Sequence, residues 1–262
     1  MGLQLVQPSH GGKYASPPPP SGGVKNPLGG SLPIKAVLFD VDGTLYQQPP
    51  MRALMALELG SMLATSPGRF AGRVRALSAF RKAQERLRGS WDGRPDSLAL
   101  AQLEWASARA EVPRAEVEAL VDSWIHFRPL KYLRFCRAKG LMPLLDHLER
   151  ANVRMGVLSD YPAAKKLDAL QIAHRFSPVL CTTDPAINHF KPHPRGFLHA
   201  CELWRLKPAE VLMVGDRADA DAAGAAAAGM PCVIIGKPPR TRQGFLTVPS
   251  LERLKRVLDP CA

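Results

Sequence analysis

The sequence has few of the features that mark secreted, metal-clustered or membrane-embedded chains. Its five cysteines, Cys136, Cys181, Cys201, Cys232 and Cys261, are far apart, odd in number and form no CxxC pair. That spacing argues against a disulfide framework and a thiolate zinc site, and it suits a reducing, cytoplasmic location. No apolar stretch of signal-peptide length precedes residue 33, and the longest small-and-apolar run, residues 222–236, is cut by Gly224, Gly229 and Pro231. Neither an export signal nor a membrane span is therefore expected. Internal repeats are lacking too. Acidic residues are outnumbered 23 to 35, which leaves a net charge of +12. Such a surplus suits anionic ligands or nucleic acid and equally an arginine-rich proteome, so charge alone names no partner.

What is present is ordinary for a packed protein: 46% hydrophobic and 22% charged residues in a chain of 262. That length accommodates one large core, or a core with a second, smaller lobe. Residues 1–33 are rich in Pro, Gly and Ser and lack a periodic apolar pattern, so a disordered tail is expected there, with an extended polyproline run at Pro17 to Pro20. Folded structure begins at Ile34, where IKAVLFD reads as a buried strand that ends in carboxylates and opens into a loop at Gly43. Residues 49–139 carry helical stretches such as MRALMALELGSML and RFAGRVRALSAFRKAQERLR, punctuated by SPG at Ser66 and by WDGRPD from Trp91. This region reads as a helical insert.

From residue 140 the pattern alternates. A helix over 141–151 is followed by the strand VRMGVLS, a helix over 163–170, the strand PVLCTTD, a helix over 194–206, the strand VLMVGD, an Ala-rich helix and the strand PCVIIG. Strands alternating with helices of this length imply a parallel sheet covered on both faces. The expected fold is α/β, a doubly wound, Rossmann-like core built from residues 34–48 and 140–262, interrupted by the insert. Ligands bind such sheets outside the carboxyl ends of the strands.

Candidate chemistry lies at those ends. Asp40 and Asp42, two residues apart at a strand end, can place both carboxylates on one reacting centre. Ser159 and Asp160 end the strand VRMGVLS, Gly215 and Asp216 end VLMVGD, and Lys191 sits in the loop before a helix. Singly, each has a plain structural explanation: a turn carboxylate, a helix-capping serine, a surface lysine, acids at a helix start. Together, in this order at one sheet edge, they form a constellation.

FDVDGTL (residues 39–45), VLSD (157–160), KPHP (191–194) and GDRADAD (215–221) resemble, in order and spacing, the four motifs of the haloacid dehalogenase superfamily. The resemblance extends from Ile34 to the C-terminus, with the insert matching the family's helical cap in position and helical character only. It implies a Mg²⁺-dependent phosphohydrolase for a small phosphorylated metabolite, of the phosphoglycolate phosphatase type. Asp40 would be the nucleophile that forms an aspartyl-phosphate, and Asp42 the general acid and base. The metal would be held by Asp40, Asp216 and the backbone carbonyl of Asp42. Ser159 and Lys191 would bind the phosphoryl group, with Asp221 behind the metal and Asp219 a weaker candidate for the same place.

Two positions depart from the family pattern: Asp160 stands where relatives often have Asn, and His193 where they often have Asp. Dehalogenase and phosphonatase relatives lack an acid at the position of Asp42, so its presence points to phosphate ester hydrolysis. A phosphomutase with the same motifs and a non-catalytic binding protein on this fold stay open at this stage. Within the insert, residues 69–88 carry seven basic residues against the single acid Glu85, a solvated face or an attractor of anions. Trp91, Trp105 and Trp124 suit a core or a pocket lining. Nucleic acid is not an expected partner, and a monomer or homodimer is expected.

Overall fold

The computed structural model describes residues 22–65, 67–93, 97–237 and 244–259. Its centre is a sheet of six strands: β1 (Ala36–Phe39), β2 (Arg154–Ser159), β3 (Val179–Cys181), β4 (Val211–Gly215), β5 (Cys232–Ile235) and β6 (Leu246–Val248). All neighbouring pairs are parallel, in the order β3-β2-β1-β4-β5-β6. The doubly wound α/β fold expected from the alternating pattern is what forms. The order reverses between β1 and β4, so the crevice beyond their carboxyl ends is the natural ligand position in this topology.

Side-chain alternation along β1 explains why both faces are covered. Val37 and Phe39 point into one core, with Leu144, Leu145 and Leu148 of α6 (Leu141–Arg150), Leu167 of α7 (Ala164–Ala169), and Leu251, Leu254 and Leu258 of α10 (Leu251–Leu258). Ala36 and Leu38 point into the other, against Phe197, Ala200 and Trp204 of α8 (Arg195–Trp204) and the small side chains of α9 (Ala223–Ala228). The Ala-rich segment thus packs as a close-approach helix, as its composition suggests.

Between β1 and α6 the chain is helical: α1 (Gln48–Thr65), α2 (Pro67–Ser90), α3 (Leu98–Ala110), α4 (Arg114–Val121), a π-helical turn (Asp122–Phe127) and the short α5 (Leu130–Leu133). On α2, Ala76, Ala79, Phe80 and Ala83 recur at helical spacing and bury together with Ala106, Ala110, Val117 and Val121. This helical region therefore owns a core of its own. Ser66 and residues 94–96, where breaks were expected, lie outside the described residues.

Three features differ from the sequence expectations. Of the stretch read as a tail, residues 22–33 are described, and Val24 pairs antiparallel with Ile34 through two backbone hydrogen bonds of 2.9 Å and is buried in the first core. Strand β6 and helix α10 complete the sheet and its cover beyond the alternating pattern, which ends at β5. Strand β6 is only three residues long, whereas Leu251, Leu254 and Leu258 bury one face of α10, which Ser250 caps by accepting from the Arg253 N–H at 3.2 Å.

On β2, Gly156 is required by contact. A Cβ there would stand 2.6 Å from the Trp204 indole, whose Nε1 donates to the Ser177 carbonyl at 2.9 Å. Gly156→Ala is expected to destabilise the protein by about 1–3 kcal/mol through overpacking. Urea denaturation checks this; an unchanged midpoint would show that the indole moves at no cost.

Candidate active site

The site assembles where β1, β2 and β4 end. Asp40 directly follows β1, and its N–H donates to the Val214 carbonyl at 2.9 Å, which ties it to β4. Gly43 then turns the chain at φ +106, and a Cβ on it would lie 2.0 Å from Asp216 Oδ2. Glycine is thus demanded twice, by backbone conformation and by the approach of the Asp216 carboxylate. Gly215 is constrained in the same way, since a Cβ there would meet Asp221 Oδ2 at 2.2 Å.

Lys191 joins these pieces. Its Nζ donates to Asp40 Oδ1 at 2.6 Å and to Asp221 Oδ1 at 2.7 Å, with the Leu158 carbonyl at 3.4 Å. The lysine is 3% exposed, Asp40 6% and Asp221 1%, so this is a buried network rather than a surface ion pair. Asp40 Oδ2 also accepts from Thr44 Oγ1 at 3.2 Å. Asp221 Oδ2 accepts the N–H groups of Asp216 (3.2 Å) and Arg217 (3.1 Å), closing the loop after β4.

Asp40, Asp216 and Asp221 each place a carboxylate oxygen within 4.8 Å of the others. Crowding of like charges in a buried place has the expected effect on proton affinity. Burial pushes the Asp40 carboxyl well above the usual carboxylate range, partly opposed by Lys191, and Asp221, Asp216 and Asp42 push it the same way. Burial and the charge of Asp221 push Asp216 up to about 6. Lys191 is held above its ordinary range, because the charges of Asp221 and Asp40 outweigh its burial. Three converging carboxylates with one ammonium between them form a donor set that suits a hard divalent cation such as Mg²⁺.

Asp42 goes elsewhere. Its carboxylate accepts two hydrogen bonds from Lys166 Nζ, at 2.6 and 2.7 Å, and one from the Tyr46 hydroxyl. Burial works to raise its proton affinity, but the charge and hydrogen bonds of Lys166, with that of Tyr46, hold it below the usual range. The Asp42 main-chain carbonyl, expected to face a metal, accepts from Gln48 Nε2. Ser159 ends β2 fully buried, and its Oγ accepts from the Tyr161 N–H at 3.3 Å. His193 stacks on His189 with ring centroids 3.9 Å apart, as a loop residue, and Asp219 pairs with Arg217.

Asp160, one of the two residues that depart from the family pattern, is a clamp. Its Oδ1 accepts from Thr182 Oγ1 (3.1 Å) and from the Lys191 N–H (3.3 Å), and its Oδ2 from Gln84 Nε2 (3.1 Å) and Arg88 Nη2 (2.9 Å). Arg88 Nη1 donates in turn to the Lys191 carbonyl. One ion pair between α2 and β2 therefore holds both backbone groups of the central lysine. Alongside it, Glu85 of α2 accepts from Arg217 at 3.0 Å, and Trp91 Nε1 donates to the Asn188 carbonyl at 2.8 Å.

Arg88, Lys166, Tyr46 and Gln48 were not singled out from sequence. Arg88 is hidden in a basic run that reads as a solvated face, and Lys166 lies on a short helix with no motif around it. The site opens into a cleft of about 880 Å³ between the strand ends and helices α1 and α2, with Asp160 and Tyr161 rather than Ser159 on its wall.

Asp160→Ala strips the clamp and leaves the buried Arg88 with only the half-exposed Glu85, 3.3 Å from its Nε, a change that costs about 3 kcal/mol. Amide exchange over residues 84–90, read by mass spectrometry, is expected to accelerate by about tenfold or more as α2 loosens. Unchanged protection would mean that α2 is held by other contacts.

The family model for haloacid dehalogenase-like hydrolases matches residues 34–229. A glyceraldehyde 3-phosphate phosphatase of Methanopyrus kandleri is 30% identical over 207 residues, 77% of this chain and 84% of that protein. A phosphoglycolate phosphatase of Nitrosospira multiformis is 27% identical over 213 residues, 78% of this chain and 85% of that protein. Among solved structures, a HAD phosphatase from Thermococcus onnurineus superposes with a TM-score of 0.59 at 25% identity, covering 86% of this chain and 98% of that one. A 2-haloacid dehalogenase from Pseudomonas syringae superposes with a TM-score of 0.60 at 24% identity over 86% of this chain and 98% of that one, which bears on the fold alone. With the match spanning both sides of the sheet and the strand-end residues, the chain belongs to the haloacid dehalogenase-like hydrolase family.

Proposed function

We propose that the chain is a Mg²⁺-dependent phosphatase that hydrolyses a phosphate monoester through an aspartyl-phosphate on Asp40. The observation that carries this reading is the meeting of Asp40, Asp216 and Asp221 with Lys191 at the switch point of the sheet. The two phosphatase relatives support the reaction class.

In the first step a carboxylate oxygen of Asp40 attacks phosphorus, the bond to the ester oxygen breaks, and a proton from Asp42 goes to the departing alkoxide. In the second, a water attacks the aspartyl-phosphate and gives its proton to Asp42, releasing inorganic phosphate and restoring Asp40. Lys166 and Tyr46 hold Asp42 ionised, the form that takes the proton of the water in the second step, and that proton is the one Asp42 gives to the alkoxide of the next ester. Lys191 opposes the charge repulsion between nucleophile and phosphate, and Ser159 would contribute a hydrogen bond to a phosphoryl oxygen. Asp40 and Asp216, with the Asp42 carbonyl and with Asp221 alongside, would hold Mg²⁺, which supplies further neutralisation of the phosphoryl charge. Residues 34–48 and 140–262 would act as the catalytic core and 49–139 as a cap over it, held down by the Arg88–Asp160 clamp. The described cysteines are buried free thiols, which supports action in the reducing cytoplasm. No helix among the described residues is long and apolar enough to cross a membrane.

The test is phosphate release from a panel of phosphate monoesters with Mg²⁺ and with a chelator. Turnover is expected to need the metal and to fall at least about a thousandfold in Asp40→Asn. No turnover of any ester with Mg²⁺ would overturn the proposal.

A further inference from the structure

We infer that the leaving group of the substrate is bulky and largely apolar, rather than a two- or three-carbon acid; the inference rests on the phosphatase reading above. The cleft of about 880 Å³ stands in the upper part of the range that accommodates drug-sized ligands, about 300–1,000 Å³. Its two ends differ in chemistry. The strand-end side carries the charged groups already described. The opposite wall is built by Met55 and Leu59 of α1, Leu77 of α2, and Trp124 and Ile125 of the π-helical turn, all of which line the cleft. A π turn brings two successive bulky side chains to one cavity, and such turns recur at functional sites. A two-carbon leaving group is too small to cover five such side chains and would leave most of this wall against water.

Charge pairing bears on length rather than on apolarity. At the strand ends every cation on the cleft wall already has a carboxylate: Lys191 has Asp40 and Asp221, Lys166 has Asp42, Arg88 has Asp160, and Arg217 has Asp219. Among the described residues, the cleft-lining cations outside such pairs are Arg52, Arg81 and Lys82, carried by α1 and α2 and exposed. A short acid held at the strand ends would place its own carboxylate beside Asp42 and Asp216, where Arg52, donating to Gln48 next to the Asp42 carbonyl, is the cation outside a carboxylate pair. A longer leaving group covers the apolar wall and brings any polar end to Arg52, Arg81 or Lys82 at the exposed rim.

The experiment compares kcat/KM of the full chain with Mg²⁺ for ethyl phosphate, 2-phenylethyl phosphate and phosphoglycolate. The first two release primary alkoxides of similar reactivity, so their ratio reports binding of the leaving group. The 2-phenylethyl ester is expected to exceed both others by about thirtyfold or more, since even one buried methylene is worth about tenfold. Leu77→Asp is expected to shrink that ratio. Equal or better turnover of phosphoglycolate, or a ratio that Leu77→Asp leaves intact, would overturn the inference while the phosphatase reading stands. Turnover of none of the three would overturn the inference, and the phosphatase reading falls with it only if the whole panel of esters is inert as well.

Discussion

A single buried ammonium organises this molecule's business end. Lys191 lies between Asp40, which follows β1, and Asp221, in the turn after β4, at 2.6 and 2.7 Å. Neither carboxylate is affordable there alone, because a buried charge without a partner costs several kcal/mol. The lysine compensates only part of the negative charge of Asp40, Asp216 and Asp221. The remainder is an excess of negative charge that a further cation would offset, and the proton affinities of Asp40 and Asp216 are raised first by burial and then by this excess.

The geometry around Lys191 is held from several sides. Gly43 and Gly215 let Asp216 and Asp221 come within van der Waals reach of backbone, and any side chain at either glycine would collide with a carboxylate. Asp160 and Arg88 grip the N–H and C=O of Lys191 itself. The second of these residues belongs to α2, so the helices between β1 and α6 share in placing the central lysine. The placement of that region and order at the strand ends are thereby coupled through the Arg88–Asp160 and Arg217–Glu85 ion pairs. Beyond them the cleft changes character, from paired charges at the strand ends to methionine, leucine, isoleucine and tryptophan under α1 and α2.

Much of this was legible in the sequence, and the reasons are physical. Buried parallel strands are near-continuous apolar runs, and their carboxyl ends carry the residues that chemistry needs, so Asp40, Ser159, Lys191 and Asp216 could be placed before any coordinates. The helical region was legible as helices, because the stripe Ala76, Ala79, Phe80 and Ala83 recurs at the right spacing. What escaped was whatever depends on tertiary partners. Arg88 looks like its basic neighbours until Asp160 is found opposite it, and Lys166 has no local signature that would pair it with Asp42 over 124 residues. Strand β6 and Val24 escaped because three residues or one bridge carry too little pattern to register.

The central claim is that Asp40 carries the phosphoryl group covalently. Rapid acid quench of the enzyme turning over an ester with Mg²⁺, followed by peptide mass spectrometry, tests it directly. A phosphoryl adduct on the peptide containing Asp40, at that residue, is the predicted result. Steady turnover with an adduct on another residue, or with none at any quench time while Asp40→Asn stays active, would contradict the account.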